Sequence, residues 1–284
     1  MAESPDRMDD LERTREALES AEALVIGAGA GMGVDSGLPD FRGVEGFWEA
    51  YPPFARLGLR FEELANPRWF ASDPALAWGF YGHRRNLYRA TQPHEGFSIL
   101  RRWAERMPRG YFVVTSNVDG HFQKAGFRSE RVVEVHGAID WCQCLNRCGI
   151  GIYKATKDDV AIDPETFRAA GPLPSCPTCE ALARPNILMF GDGGWDAERT
   201  SAQYARLSRW LGGLDRARVV VVECGAGRSI PTIRLACEDI AGQFGGLLVR
   251  INPREPQVPR GHIGIASAAL EALRTLDRRQ AGAG

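Results

Sequence analysis

The stretch Ala23-Leu-Val-Ile-Gly27-Ala-Gly29-Ala-Gly31-Met-Gly33-Val-Asp35-Ser36-Gly37-Leu-Pro39-Asp40-Phe41-Arg42-Gly43 decides the fold. Its first four residues are apolar without a polar alternation, which predicts a strand buried on both faces. Glycines placed directly after such a strand let backbone N–H groups approach a phosphate closely. The spacing is not that of a hydride-transfer enzyme. Read from Gly27, the pattern G-x-G-x-x-G puts Met32 at its last glycine; read from Gly29 it puts Val34 there. Nor does a strand-ending acid follow about twenty residues on. The polar block Asp35-Ser36 and Asp40-Phe41-Arg42 adds charge and one aromatic ring beside the expected phosphate site.

Working outward, Tyr111–Thr115, Arg131–Val135, Arg218–Glu223 and Gly246–Ile251 are similar apolar runs. Helical periodicity lies around them, over Asp9–Glu22, Phe97–Met107, Ala197–Leu211 and Ala266–Leu276. This alternation predicts an α/β fold: a Rossmann-like parallel sheet with helices on both faces, binding its ligand at the carboxyl ends of the strands. Phe47–Arg89 is patterned for short helices. Cys142–Ala183 is rich in cysteine and proline with little periodicity, followed by the apolar run Asn186–Phe190. The expected division is a Rossmann-like domain over 1–50, 93–140 and 184–284, a helical insertion over 51–92 and a zinc module over 141–183; the last two together form a small domain.

Composition narrows the class. The 284 residues carry a formal net charge of −1, so no global field draws the chain to nucleic acid or an acidic membrane. No apolar run is long enough to span a bilayer. Met1–Asp10 is acidic and lacks the basic start and apolar run of a signal peptide, so a cytoplasmic protein is expected. The seven cysteines are an odd number for a disulfide framework. Cys176-Pro-Thr-Cys179 is a zinc half-site by its spacing. Its partner lies in Cys142-Gln-Cys144-Leu-Asn-Arg-Cys148, which supplies Cys148 and either Cys144 or Cys142. Cys224 and Cys237 read as core residues.

Two polar motifs close strands. Thr115-Ser116-Asn117-Val118-Asp119-Gly120 places an amide and a carboxylate where they can bond ribose hydroxyls or close an Asx-turn. Glu134-Val-His136-Gly137 puts a histidine at a strand's carboxyl end, and an unperturbed pKa of about 6.5 suits it to general base work. His83, His94, His121 and His262 lack that setting and are read as structural or surface residues.

Together these motifs resemble the sirtuin family. Gly29–Gly43 is similar to its NAD-binding signature GAGxSxxSGIPDFRG, with Gly33 in place of the serine. Ser116–Gly120 is similar to Q-N-I-D-G, with Ser116 in place of glutamine, and Glu134–Gly137 to E-x-H-G. Arg184-Pro-Asn-Ile-Leu-Met-Phe190-Gly191-Asp192 resembles the substrate strand R-P-x-V-V-x-F-G-E. The resemblance implies NAD-dependent removal of acyl groups from protein lysine, catalysed by His136 and Asn117. NAD would be held by Gly29, Ala30, Gly31, Asp35, Asp40, Phe41, Arg42, Ser116, Asn117 and Asp119. Gly225, Ala226, Gly227, Asn252 and Ala266 would complete that site. The acyl-lysine protein or peptide would meet Phe190 and Gly191. Cys144, Cys148, Cys176 and Cys179 would hold one structural zinc. In the implied chemistry the acyl oxygen attacks ribose C1′ as nicotinamide leaves, and His136 deprotonates a ribose hydroxyl. The products are nicotinamide, O-acyl-ADP-ribose and free lysine. ADP-ribosyl transfer, NAD hydrolysis and a non-catalytic NAD- or ADP-ribose-binding module are the rival readings.

Tyr81 and Arg84 are three residues apart and share a helix face. They resemble the Tyr-x-x-Arg signature of sirtuins that accept malonyl- and succinyl-lysine, because an arginine grips a carboxylate in a bidentate pair. The alternative is a solvated arginine-rich face with Arg85 and Arg89.

Overall fold

The computed structural model describes residues 5–39 and 58–278, so the expected NAD contacts Asp40, Phe41 and Arg42 lie outside the described residues. The described strands are β1 (Ala23–Ala28), β2 (Tyr111–Thr115), β3 (Val132–Glu134), β4 (Gly137–Cys144), β5 (Ile152–Lys154), β6 (Ala183–Ile187), β7 (Val219–Cys224), β8 (Leu247–Ile251) and β9 (Ile263–Ile265). Six of them form one parallel sheet in the order β3-β2-β1-β7-β8-β9. The other three form an antiparallel sheet in the order β5-β4-β6.

The apolar run at Ala23 is buried on both sides, as its lack of alternation requires. Leu24 and Ile26 pack with Leu100 and Trp103 of helix Glu95–Arg106 and Leu273 of helix Ala269–Arg278. Ala23 and Val25 pack on the opposite face with Leu207 of helix Glu198–Gly212 and Ile233 and Ile240 of helix Thr232–Phe244. Helices therefore cover both faces of the large sheet, and the doubly wound architecture read from the sequence holds. Gly27 is required by this packing, since a Cβ there would lie 2.2 Å from Cys237 Sγ.

Strand order reverses at β1. The chain passes from β1 to β2 and β3 on one side, then crosses to β7, β8 and β9 on the other. Ligands of such sheets bind in the crevice at this switch point, beyond the carboxyl ends of the strands. Here that position is the glycine-rich turn after β1 and Gly225 after β7.

A second core lies between the small sheet and helix Pro74–Ala90, where Trp78, Phe80 and Tyr81 pack with Ile139 and Ile187. This helix is longer than the short segments expected there. Asp73 starts it by accepting the Leu76 N–H at 3.2 Å, with Pro74 in the first turn. The Trp78 indole N–H donates to Ala183 O at 2.9 Å and ties the helix to β6.

Two stretches differ from the sequence reading. Gly137–Asp140 and Arg184–Ile187, expected in the large layer, pair with each other's strands in the small sheet. A short apolar run encodes burial but not the identity of its hydrogen-bonding partner. Helix Thr232–Phe244 and strand β9 have no counterpart in the sequence reading. The helix does carry a stop signal, Gly245 at φ +59°, directly after its last residue.

Candidate active site

The two glycine-rich turns touch. The Gly31 N–H donates to Gly225 O at 3.1 Å. A Cβ on Gly31 would meet Gly225 Cα at 2.8 Å, and one on Gly225, at φ +64°, would meet Gly31 C at 2.4 Å. Only glycine at both positions allows this approach, which brings the ends of β1 and β7 together. The Gly29 N–H completes the junction by donating to Cys224 O at 3.0 Å.

Beside this junction opens a cavity of about 500 Å³. Among the expected site residues, Ala30, Ser116, Asn117, Asp119, His136, Tyr81, Arg84 and Phe190 line it. They arrive from separate elements: the turns after β1, β2 and β3, helix Pro74–Ala90 and the segment after β6. Phe61, Tyr88, Leu188, Met189 and Ile230 line it too and were not singled out in the sequence. Leu188, Phe190 and Ile230 are exposed large apolar residues, a signal that appears only once burial is known.

Other expected NAD residues are held away from this wall. Asp35 Oδ2 accepts the Leu270 N–H at 2.8 Å, near the start of helix Ala269–Arg278. Asn252 is buried, its Nδ2 donating to Ala226 O at 2.9 Å while Oδ1 accepts the Arg254 and Glu255 N–H groups at 3.0 and 2.9 Å. Both side chains hydrogen-bond to neighbouring backbone. Gly29, Gly31, Gly225, Ala226 and Gly227 belong to the turns that follow β1 and β7, and Ala266 follows β9 on the surface.

Asn117 is fixed by its own turn. Its Nδ2 donates to Gly29 O at 3.0 Å, and its N–H donates to Thr115 Oγ1 at 3.0 Å. The β2 motif thereby locks the glycine turn of β1. Asp119 Oδ1 accepts the His121 N–H at 2.9 Å, the Asx-turn that the sequence allowed. Burial raises the Asp119 pKa, and the charges of His121 and Arg84 oppose the rise.

His136 stands where the chain leaves the large sheet for the small one, between Glu134 at the end of β3 and Gly137 at the start of β4. Its carbonyl accepts the Leu188 N–H at 2.9 Å, which joins it to the segment carrying Phe190. Burial lowers its pKa, and a hydrogen bond with the Ser116 backbone opposes the fall. The imidazole is therefore neutral near pH 7, the state a general base needs. Just before it, Glu134 is buried, ion-paired with Arg199 and bonded by Gln203 Nε2 at 3.0 Å.

Gly137 makes the change of sheet possible. Its φ is +77°, and a Cβ there would lie 2.0 Å from Asn186 O. Gly137→Ala should destabilise the protein by about 3 kcal/mol or more, combining left-handed strain with overpacking. A thermal melt matching the wild type would show that the close approach is not needed.

His94 is structural. Its Nδ1 accepts the Gly96 N–H at 3.0 Å, which leaves Nε2 to donate to Met32 O at 2.9 Å. His121 is fully buried against Phe97.

The segment after β6 is pinned by a buried ion pair. Arg184 Nη1 and Asp192 Oδ1 lie 3.0 Å apart, and Asp192 also accepts the Met189 and Gly194 N–H groups at 3.2 and 3.1 Å. The two charged ends of the motif thus hold Phe190 and Gly191, the latter at φ +67°, between them.

The four expected cysteines converge. The sulfurs of Cys144, Cys148, Cys176 and Cys179 all lie within 4.8 Å of one another, with Cys144–Cys179 at 3.5 Å and Cys148–Cys176 at 3.6 Å. A zinc ion with bonds of ~2.3 Å has tetrahedral sulfur–sulfur edges of about 3.8 Å, so the cluster fits a closed structural zinc site. Arg147 and Glu180, at φ 47° and 60°, form the tight turns beside Cys148 and Cys179. Cys142 lies outside the cluster, buried in the small-sheet core, whereas Cys144 lies within it. Burial pushes the Cys142 thiol up to about 11.

Among the described residues, no helix is long and apolar enough to cross a membrane.

The chain is similar in sequence and fold to known proteins. The chain is 32% identical over 237 residues to an NAD-dependent protein deacylase of Aquifex aeolicus, covering 84% of this chain and 86% of that protein. It is 32% identical over 279 residues to one of Thermus thermophilus, covering 95% and 94%. A solved complex of a Sir2 homologue with NAD superposes with a TM-score of 0.69 at 28% identity, covering 96% and 94%. A mutant Sir2 homologue bound to ADP-ribose superposes with a TM-score of 0.69 at 29% identity, covering 95% and 97%. The Sir2 family model matches residues 29–207, from the glycine turn of β1 through the Glu134–Gly137 motif and the cysteine cluster, and the chain belongs to the Sir2 family.

Proposed function

We propose that this protein is an NAD-dependent protein lysine deacylase that consumes one NAD and one water and moves the acyl group onto the ADP-ribose part of NAD, giving nicotinamide, O-acyl-ADP-ribose and free lysine. One observation carries the reading: His136, neutral near pH 7, faces the same cavity as Asn117, Asp119 and the glycine turn of β1. The names of the relatives support it. When bound, NAD supplies the ribose carbon that accepts the acyl oxygen as nicotinamide leaves. The chain supplies the rest. Ala30 and Gly33, in the glycine-rich turn after β1, line the cavity where a pyrophosphate would lie beside that turn. Asn117 and Asp119 hold the ribose side, and a ring nitrogen of His136 takes a proton from a ribose hydroxyl. Leu188 and Phe190 give the acyl-lysine chain an apolar surface.

Mass spectrometry of products from NAD and a panel of acyl-lysine peptides tests this directly. Free lysine appearing with O-acyl-ADP-ribose is the expected result. ADP-ribosylated protein, or free ADP-ribose without deacylated peptide, would overturn it in favour of transfer or hydrolysis.

The acyl class follows from Tyr81 and Arg84. Both are buried, both line the cavity, and both sit on helix Pro74–Ala90. A buried guanidinium facing an acyl site favours a carboxylate over a neutral methyl group. We therefore assign malonyl- and succinyl-lysine to the enzyme alongside acetyl-lysine. Arg84→Met should lower the succinyl-to-acetyl ratio of kcat/KM by about 10-fold or more, the worth of a charge-assisted hydrogen bond. An unchanged ratio would return the substrate class to neutral acyl groups.

A further inference from the structure

Arg84 is not presented to the cavity alone. It lies four residues before Tyr88 on helix Pro74–Ala90, and its Nε and Nη2 both donate to the Tyr88 hydroxyl oxygen, at 3.1 and 2.9 Å. Four rings surround the guanidinium carbon: Phe80 at 5.2 Å, Tyr88 at 5.5 Å, Phe61 at 5.7 Å and Tyr81 at 5.8 Å to their centroids. The rings keep water from the cation and the hydroxyl fixes the rotation of its plane. Tyr81 is 1% exposed, and its hydroxyl has no hydrogen-bond partner among the described residues although Tyr81 lines the cavity. A buried hydroxyl without a partner is costly unless a ligand completes it.

We infer that Tyr88 is a specificity-determining positioning residue for acyl groups that end in a carboxylate. This inference rests on the acidic-acyl reading of Tyr81 and Arg84 and extends it to a residue that the Tyr-x-x-Arg pattern does not contain. Tyr88 acts in two ways. Its oxygen takes both N–H groups on one edge of Arg84, so the guanidinium is held in a single orientation before substrate arrives. Its own O–H, polarised by those two bonds, is a donor at the cavity wall. A carboxylate entering the ring box would then meet three converging groups: the Arg84 guanidinium, the Tyr81 hydroxyl and the Tyr88 hydroxyl. A neutral acyl group has no acceptor at that depth and uses only the rings. The discrimination therefore comes from pre-orientation, which saves the carboxylate the cost of ordering a long, flexible side chain.

Steady-state kinetics with matched succinyl-lysine and acetyl-lysine peptides at saturating NAD test the assignment on Tyr88→Phe, which keeps the ring and removes the hydroxyl. The KM for the succinyl peptide should rise about 10-fold, with kcat on that peptide changing far less, and the succinyl-to-acetyl ratio of kcat/KM should fall about 10-fold. A merely structural residue would lower both peptides together and leave the ratio alone, and that result would overturn the inference. Should Tyr88→Phe fail to fold, Tyr88→Met is read in the same way, and equal loss on both peptides in both variants also counts against it. The two readings separate on the controls. If the wild type cleaves the succinyl peptide and Arg84→Met abolishes the preference while Tyr88→Phe keeps it, only the role of Tyr88 falls. If the wild type ignores the succinyl peptide, the acidic-acyl reading falls and takes this inference with it.

Discussion

His136→Ala is expected to lower kcat/KM for deacylation by ~10²–10⁴-fold, the usual loss when a positioned general base is removed. The fold should survive. The substitution leaves the backbone carbonyl that accepts the Leu188 N–H, and the side chain is only partly buried and lines the cavity. The pH profile adds a second signature. A base works in its neutral form, and burial lowers the pKa of His136 below the ordinary histidine value of 6.5. The acid limb of kcat/KM in the wild type should therefore lie below pH 6.5, and activity should be lost as pH falls through that lowered pKa. The residual activity of His136→Ala should lack this limb. A variant that keeps deacylation within threefold, on a scale where base loss costs ~10²-fold or more, would remove His136 from the chemistry.

Loss of zinc should be the most damaging change to stability. The four sulfurs converge closely enough to bind one ion with no open position, so the metal contributes to folding and not to the reaction. Apparent zinc-binding free energies of structural sites are of order 10–16 kcal/mol at neutral pH, comparable to or larger than the whole stability of a domain. Cys176→Ser should therefore give zinc-poor, aggregation-prone protein, and prolonged chelation of the wild type should unfold the cysteine module. Cys142→Ser is the matched control. Cys142 lies outside the cluster, so this variant should keep its zinc. Metal analysis should find one zinc per chain in protein purified without chelator. Finding none there, or finding that Cys142→Ser loses zinc while Cys144→Ser keeps it, would refute the assignment of the four ligands.

Several features are legible in the sequence because they are local. Four apolar residues in a row at Ala23 state that a strand is covered on both sides, and the structure buries every residue of β1. Glycines that follow a strand predict a close backbone approach to a phosphate, and the close approach in the structure is that of Gly31 to Gly225. The dipeptide His136-Gly137 marks a histidine at a strand end followed by a residue free to take a positive φ. The spacing of Cys176 and Cys179 states a metal half-site. Each signal rests on a few neighbouring residues, whose geometry the chain fixes without help from elsewhere.

The tertiary structure decided what depends on residues distant in sequence. Arg184–Ile187 reads as a strand wherever it is placed, but only its pairing with β4 assigns it to the small sheet. Asp35 and Asn252 carry the residue types of ligand contacts, and only the fold shows that Asp35 accepts from Leu270 N–H and Asn252 donates to Ala226 O. Cys142 and Cys144 are indistinguishable by spacing; the core around helix Pro74–Ala90 takes one and the cysteine cluster takes the other. Tyr88 is one more ring on an amphipathic helix until the fold closes Phe61 and the cavity around Arg84. Sequence determines what a residue is able to do through its propensity and chemistry. Which of those abilities is used depends on the partner that folding brings within about 3 Å, the reach of a hydrogen bond.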